Sequence, residues 1–126
     1  MDASDPKSAN LLRDDGIANG FNGGYAVSGS TAFSSAQQYL TDGGAYSLAG
    51  TYYGTFDQGG DVWEWSDSVI GSARGRRGGS WTDQESFLRA SSQGNLLPTI
   101  ETNDLGFRIA IVPEPGVIGL ATLGVA

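Results

Sequence analysis

The chain has 126 residues, of which 20 are glycine, and a formal net charge of −7. This length and composition predict one loop-rich domain, and its acidic surface argues against nucleic acid and anionic membranes as partners. Because the sequence contains neither cysteine nor histidine, disulfides, zinc fingers, thiol nucleophiles and imidazole bases are excluded.

The first half of the chain predicts short elements separated by turns. Residues 1–24 are polar and carry glycine-containing turn signals, so we expect little regular structure there. The first five residues are acidic and polar, without the apolar core of a secretory signal peptide. The other expectations are a short strand at residues 25–27, a loop or one short helix at 29–40, and short extended pieces at 44–47 and 52–56.

The second half contains the stronger strand signals. Residues 61–66 predict the best-defined strand, with Val62 on one face and the two tryptophans of this stretch on the other. Residues 75–80 predict a second strand. Residues 106–112 predict a third, and its apolar, β-branched end suits a buried position.

Hard oxygen ligands cluster around the first of these strands. Asp57 and Glu64 offer carboxylates, and the carbonyls of Gly60 and Val62 point the same way if the chain is extended. Such a set suits Ca²⁺ and does not suit a soft metal. The alternative is that Asp57 caps a turn while Glu64 pairs with an arginine such as Arg108.

The stretch after residue 80 offers a second candidate site. A shallow ligand cleft, with a face for stacking a sugar, would be lined by Trp81, Asp83, Phe87 and Arg89. The alternatives are that Trp81 packs in the core and that Asp83 and Glu85 are solvated loop acids rather than an acid/base pair. A local group of arginines could bind an anionic ligand or form internal ion pairs; it comprises Arg74, Arg76, Arg77 and Arg89.

Three ordered motifs carry a resemblance to a known family. They are Gly60-Asp61-Val62-Trp63-Glu64-Trp65, Arg77-Gly78-Gly79-Ser80-Trp81 and Leu105-Gly106-Phe107-Arg108. Together they resemble the signature of the formylglycine-generating (sulfatase-modifying factor) enzyme domain, with Asp61 replacing the usual Asn. The resemblance covers residues 10–112 and implies the C-terminal portion of an α+β domain with a C-type-lectin-like fold: short twisted strands, long loops and few helices.

The resemblance also implies where cations bind. A Ca²⁺ ion would be held by the side chains of Asp57 and Glu64 and by the backbone oxygens of Gly60 and Val62. A second, weaker calcium site would take side-chain oxygens and carbonyls from Asn10, Leu11, Asn19 and Phe21. Asn19 stands where Asp is more usual, and a neutral amide is a poorer calcium ligand than a carboxylate.

The copper chemistry of the family is not expected. The resemblance implies that two cysteine thiolates bind Cu(I), at positions that correspond approximately to Asp83 and Leu88 in this chain. Cu(I) prefers soft sulfur ligands, and neither residue supplies one. We therefore expect no copper cofactor and no formylglycine generation.

The end of the chain differs from the rest. Val112-Pro113-Glu114-Pro115 cannot continue a strand ladder, and the eleven uncharged residues that follow are too few to cross a bilayer, which takes ~20. This tail, residues 113–126, resembles a PEP-CTERM sorting signal cut short before its basic cluster. The alternative is an apolar tail that packs on the domain, residues 1–112.

These observations lead to a functional expectation with two alternatives. We expect an exported, catalytically degenerate module, stabilised by calcium, in the envelope or extracellular matrix of a Gram-negative bacterium. Its partners would be a glycan or matrix polymer and an exosortase-type membrane enzyme that sorts it. One alternative is an oxidoreductase-type enzyme of the superfamily whose catalytic residues lie outside this sequence; the other is a fragment without a function of its own, since both ends look incomplete.

Overall fold

The fold is built from short strands joined by long loops, as a computed structural model shows for residues 9–17, 23–47 and 49–109. The elements in chain order are β1 (Leu12–Asp14), β2 (Gly23–Tyr25), β3 (Trp63–Ile70), β4 (Ala73–Arg77), a 3-10 helix η1 (Glu85–Leu88), β5 (Gly94–Leu96) and β6 (Leu105–Gly106). Few helices and many loops are what the sequence predicts for a small α+β domain. Within the described ranges, no helix has the length and apolar character needed to span a bilayer.

The strands form two sheets. β1 and β2 pair antiparallel, and a separate four-stranded sheet has the order β5-β4-β3-β6. β3 and β4 form an antiparallel hairpin that turns through Gly71 in a left-handed conformation (φ 62°). β6 lies parallel to β3, pairing Trp63 with Leu105, and so brings the end of the described chain beside the start of the longest strand.

The strands of the second half fall close to their predicted positions. The predicted strand at 61–66 is β3, which begins two residues later and continues to residue 70, and the strand predicted at 75–80 is β4. Of the strand predicted at 106–112, only Gly106 lies in a strand, β6. Residues 107–109 lie outside any strand, and 110–112 lie outside the described residues.

The first half departs further from expectation. The extended pieces predicted at 44–47 and 52–56 are wrong, because these segments are mainly turns. Local hydrogen bonds explain the second turn: the Thr51 carbonyl accepts from Gly54 N at 3.0 Å, and the Thr51 hydroxyl accepts from Tyr53 N and Thr55 N at 3.3 Å. Residues 29–40 form turns without a helix, and the strand predicted at 25–27 ends at Tyr25 as β2.

The core is small and largely aromatic. The buried apolar side chains of the described residues are Leu11, Ala26, Tyr39, Tyr46, Trp63 and Trp81. Tyr39 and Trp81 stack with ring centroids 4.7 Å apart and planes within 8° of parallel. Trp63, the first residue of β3, is buried. The Arg76 guanidinium lies 4.5 Å from its ring centroid, a favourable cation–π arrangement. Aromatic area thus replaces the aliphatic core that longer strands would bury.

Candidate functional site

The loop that precedes β3 is shaped by left-handed residues. Asp57, Gly60 and Asp61 have φ angles of 53°, 80° and 62°, a conformation that Gly adopts freely and Asp tolerates better than most residues. A Cβ added at Gly60 would lie 2.4 Å from the Asn10 carbonyl oxygen, so no side chain fits there. Hydrogen bonds fix the loop on both sides: Gly60 N donates to Gly78 O at 2.8 Å and Asp61 N to Asn10 O at 2.7 Å.

This loop and its neighbours enclose a cavity of about 240 Å³, which we call the loop cavity. All four residues of the predicted calcium set, Asp57, Gly60, Val62 and Glu64, line it. Asp42 and Asp61 line it too, although neither belongs to the predicted set. The fold therefore brings the four predicted residues to one cavity and adds two carboxylates. The extended chain assumed for residues 60–62 is wrong, because Gly60 and Asp61 are left-handed, with φ angles of 80° and 62°.

One carboxylate oxygen in the loop cavity has no partner. Asp57 Oδ2 accepts a hydrogen bond from Gly44 N at 2.5 Å, so Asp57 does fix a turn, as the alternative interpretation expected. Its other oxygen, Oδ1, is buried and accepts no hydrogen bond. Leaving a buried charged oxygen unpaired is costly. A cation in the loop cavity would remove that cost, so the donor set fits Ca²⁺ chemically.

The second acidic residue of the set is already engaged. Arg108 donates to Glu64 Oε1 from Nε at 2.7 Å and from Nη2 at 2.5 Å. The same guanidinium donates to the carbonyls of Phe56, at 2.8 Å, and Asp57. The pairing of Glu64 with Arg108, foreseen as an alternative, is thus observed, and it leaves Glu64 Oε2 as the oxygen open to a cation. In the described part of the chain, no three acidic side chains group closely enough to hold a metal, so backbone oxygens would have to complete the site.

The four bonds of Arg108 lead to a prediction about stability. Arg108→Lys keeps the charge, but an ammonium cannot reach the Glu64 carboxylate and both carbonyls at once. Because the Arg108 side chain is 42% exposed and solvent weakens the ion pair, we expect a loss of about 1–2 kcal/mol in urea unfolding with EDTA present. The control is Arg74→Lys, since Arg74 makes one long bond, 3.4 Å, to Asp67 O. Equal losses for the two variants would contradict a stabilising role for the four hydrogen bonds of Arg108.

Asp61 connects the loop cavity to the rest of the fold. Its Oδ1 accepts from Asn10 Nδ2 at 2.7 Å, Thr41 N at 2.9 Å and Thr41 Oγ1 at 3.2 Å. Asn10 Nδ2 also donates to the Tyr39 carbonyl at 2.6 Å. Asn10 is buried, so this carboxylate supplies an acceptor that its amide needs. The sequence alone does not assign this role; the local sequence signal for it is an Asp directly after two glycines.

The predicted second calcium set is described only in part. Asn19 and Phe21 lie outside the described residues. The Leu11 carbonyl accepts from Ala26 N at 3.1 Å, and the Asn10 amide nitrogen makes the two bonds given above. The two described members therefore have protein partners.

The residues of the predicted ligand cleft do not line one surface. Trp81 is buried against Tyr39, as the core-packing alternative expected. Phe87 instead meets Trp63 edge to face, with centroids 5.9 Å apart. Asp83 Oδ2 accepts from Ser80 N at 3.0 Å and Ser80 Oγ at 2.6 Å. Arg89 is exposed and lines a separate hollow beside β3 and β4.

The charged groups near this stretch also have separate roles. Glu85 pairs with Arg13 at 3.3 Å, so it does not form an acid/base pair with Asp83. Arg77 Nη1 donates to the carbonyls of Ala90 and Ser92, at 2.8 and 3.1 Å. Together with the Arg76 contact to Trp63, these bonds show that arginines of the predicted basic group are held by carbonyls and a ring rather than by carboxylates.

Asp83 and Leu88, which the resemblance places approximately at the family's copper-ligand positions, serve turn formation and packing. Asp83 closes the turn at residues 80–83 through Ser80, and Asp83 N donates to Ser80 O at 3.0 Å. Leu88 packs against backbone, since its side chain lies 3.1–3.2 Å from where a Cβ would stand on Gly59 or Gly79. Both positions have side chains suited to the fold and unsuited to binding Cu(I).

Fold and site together define a small, loop-rich strand domain with an oxygen-lined cavity beside its Trp-Glu-Trp strand. A family model described as "Sulfatase-modifying factor enzyme 1-like domain" matches residues 8–112. The chain belongs to this family. Comparison with curated proteins and with solved structures gave no match.

Proposed function

We propose that this chain is a catalytically degenerate member of its family, exported and sorted to the cell surface, that acts as a calcium-stabilised binding or structural module. We further propose that its strands and loops follow a C-type-lectin-like arrangement. The observation that carries the calcium proposal is the buried, unpaired Oδ1 of Asp57. It lies in a residue that shares one cavity with Gly60, Val62 and Glu64.

The charges around the loop cavity set the expected affinity. The proposed ligand set contains two carboxylates, Asp57 and Glu64, and the Arg108 guanidinium offsets one of them. Asp42 and Asp61 add negative charge to the cavity lining without belonging to that set. A site with two carboxylate ligands, one of them paired with an arginine, and otherwise neutral oxygens binds Ca²⁺ weakly, in the range of about 10⁻⁴–10⁻³ M that is typical of extracellular modules. Such an affinity suits a structural ion in a calcium-rich exterior better than a sensor inside a cell.

A bound ion would act on the loop mechanically. Asp57 already connects to the turn at Gly44, and Gly60 already connects to Gly78. Calcium shared between the Asp57 carboxylate and the carbonyls of Gly60 and Val62 would tie these links to the start of β3. The expected consequence is a loop that is fixed before a ligand binds, which lowers the entropic cost of binding.

The loss of catalysis is supported by chemistry. The sequence has no cysteine, and Cu(I) needs soft ligands that carboxylates and aliphatic side chains cannot replace. Formation of formylglycine from a cysteine peptide supplied with copper and O₂ would contradict this part of the proposal.

Export and sorting are supported by the tail. Val112-Pro113-Glu114-Pro115 and the apolar residues after it resemble a PEP-CTERM signal, which an exosortase-type membrane enzyme would process in a Gram-negative envelope. A glycan or matrix polymer is the partner class that fits this location.

Thermal melting in calcium tests the module. We expect about 10 mM CaCl₂ to raise the melting temperature by roughly 5–15 °C over EDTA, because binding to the native state alone stabilises it. MgCl₂ should give a smaller rise, since Mg²⁺ demands a strict octahedral site. Asp57→Asn should abolish the calcium effect. The matched control Asp67→Asn removes an exposed acid of β3 that does not line the loop cavity, and it should leave the effect intact.

Two results would contradict the proposal. One is a melting temperature that does not respond to calcium in the unmodified chain. The other is an Asp57→Asn variant that responds as strongly as the Asp67→Asn control.

A further inference from the structure

A second hollow lies beside the turns at residues 33–40 and encloses about 290 Å³. Its aromatic wall consists of Phe33, Tyr39 and Trp81, beside which Leu40 adds an apolar side chain. The amide side chains of the lining belong to Gln37, Gln38 and Asn103. None of the residues that line the loop cavity contributes to it. We call it the aromatic hollow.

The aromatic wall is a set of nearly parallel rings. Phe33 stacks on Tyr39 at 5.5 Å and on Trp81 at 6.1 Å, with planes within 20° of parallel. Tyr39 and Trp81 are buried, whereas Phe33 is 58% exposed. A phenyl ring that stands on a buried aromatic stack and remains open to solvent offers a flat face to a ligand.

The segment that carries this wall is held in place before any ligand binds. Ser34 N donates to the Tyr39 hydroxyl at 3.0 Å, and Gln37 N donates to Ser34 O at 3.1 Å. The Tyr39 carbonyl accepts from buried Asn10 at 2.6 Å. Ligand binding would therefore lose little conformational entropy in ordering this segment of the protein.

The polar groups of the aromatic hollow are all uncharged. The chain has 14 acidic and 7 basic residues, yet none of them lines this hollow. Amide side chains present a donor and an acceptor on one planar group, which suits neighbouring hydroxyls. The indole N–H of Trp81 is buried and has no acceptor among the described residues, so the wall contains one unsatisfied donor.

We propose that the aromatic hollow binds a neutral saccharide, with one face of a sugar ring stacked on Phe33 and its hydroxyls paired with the surrounding amides. A sugar ring has both an apolar face and neutral hydroxyls, the two properties that this lining selects. An extended peptide fits less well, because the lining residues lie outside strands and offer no sheet edge for main-chain pairing. The inference rests on the proposed binding module and names its ligand class.

Tryptophan fluorescence and calorimetry with defined sugars test this inference on the full chain. The neutral probes are cellohexaose and maltohexaose, the anionic probe is polygalacturonate, and an uncharged hexapeptide represents the peptide class. We expect at least one neutral oligosaccharide to bind and to change tryptophan emission. Phe33→Ala should weaken that binding at least fivefold. Asn103→Ala removes an exposed amide that lines the hollow and should weaken it about threefold.

The matched control is Tyr53→Ala, which removes a largely exposed aromatic side chain (86% exposed) outside the aromatic hollow. It should bind the neutral sugar as the unmodified chain does. Binding of neither neutral oligosaccharide, equal binding by the Phe33→Ala and Tyr53→Ala variants, or preference for the anionic polymer or the peptide would each overturn the inference. Circular dichroism of each variant establishes that the fold is retained, and Asn103→Ala serves as the test if Phe33→Ala does not fold.

The same samples separate this inference from the calcium proposal. Melting with and without calcium reports on the loop cavity, and sugar titration in calcium reports on the aromatic hollow. A calcium response without sugar binding would overturn the saccharide inference alone. Sugar binding without a calcium response would support the hollow and overturn the calcium part of the proposed function.

Discussion

Replacing Gly60 with alanine is expected to lower the free energy of unfolding by about 3–5 kcal/mol or to prevent folding. The new Cβ would stand 2.4 Å from the Asn10 carbonyl oxygen and 3.0 Å from its carbonyl carbon. These backbone atoms cannot move away easily, because Asn10 O accepts from Asp61 N and the Asn10 amide bonds to Tyr39 and Asp61. Alanine at φ 80° adds a left-handed strain of about 1–2 kcal/mol.

Gly71→Ala is the matched control for this change. Gly71 is also left-handed, at φ 62°, but an added Cβ would meet no atom within 4 Å. Only the backbone strain should remain, about 1–2 kcal/mol. Urea unfolding of the two variants separates close packing from conformational strain. Similar losses at both positions would show that the contact between Gly60 and Asn10 is not a constraint on the loop.

Removing the Asp61 carboxylate is the second change with a large expected effect. Asp61→Ala deletes the acceptor of three hydrogen bonds and leaves the buried Asn10 amide with one partner fewer. It also places alanine at φ 62°. We expect a loss of about 2–4 kcal/mol in unfolding free energy, since hydrogen bonds to a charged acceptor contribute about 1.5–3 kcal/mol and left-handed alanine costs more.

Asp61→Asn is the control for this change. Asparagine keeps an oxygen acceptor at the same place and tolerates the left-handed conformation, so we expect a loss within about 1 kcal/mol. Urea unfolding without calcium provides the comparison. If both variants lose stability equally, the stabilising contribution of Asp61 comes from its charge and not from the hydrogen bonds that its Oδ1 accepts.

The sequence predicts the hairpin of β3 and β4 better than the short strands β1 and β5. Alternating aromatic residues around Trp63 and the glycine-rich turns that follow are local signals, and β3 and β4 form where these signals stand. β1 and β5 were missed, because each has three residues and depends on pairing with a partner strand rather than on its own pattern. Short strands with polar residues and glycines carry no readable period.

The candidate cation site could be predicted in composition but not in detail. The spacing of Asp57, Gly60, Val62 and Glu64 suggested convergence, and all four line one cavity. The left-handed turn at Asp57 and the unpaired state of its Oδ1 depend on tertiary contacts with the turn at Gly44. These contacts join residues distant in sequence, so no local pattern contains them.

The aromatic hollow shows the same limit more strongly. Its wall combines Phe33 and Tyr39, from a segment predicted as loop or short helix, with Trp81 from a turn far along the chain. The sequence predicts Trp81 and Phe87 as walls of one cleft. Phe87 contacts Trp63 instead, because the chain between residues 81 and 87 turns toward the four-stranded sheet.

A crystal structure of the protein grown with calcium tests the central claim most directly. We expect density for one ion in the loop cavity, with Asp57 Oδ1 and the carbonyl oxygens of Gly60 and Val62 at about 2.3–2.6 Å from it, the distances of calcium ligands. Glu64 should contribute Oε2 while Oε1 keeps its bonds to Arg108. An ordered loop cavity without an ion at millimolar calcium, or an ion bound elsewhere with Asp57 Oδ1 still unpaired, would contradict the account.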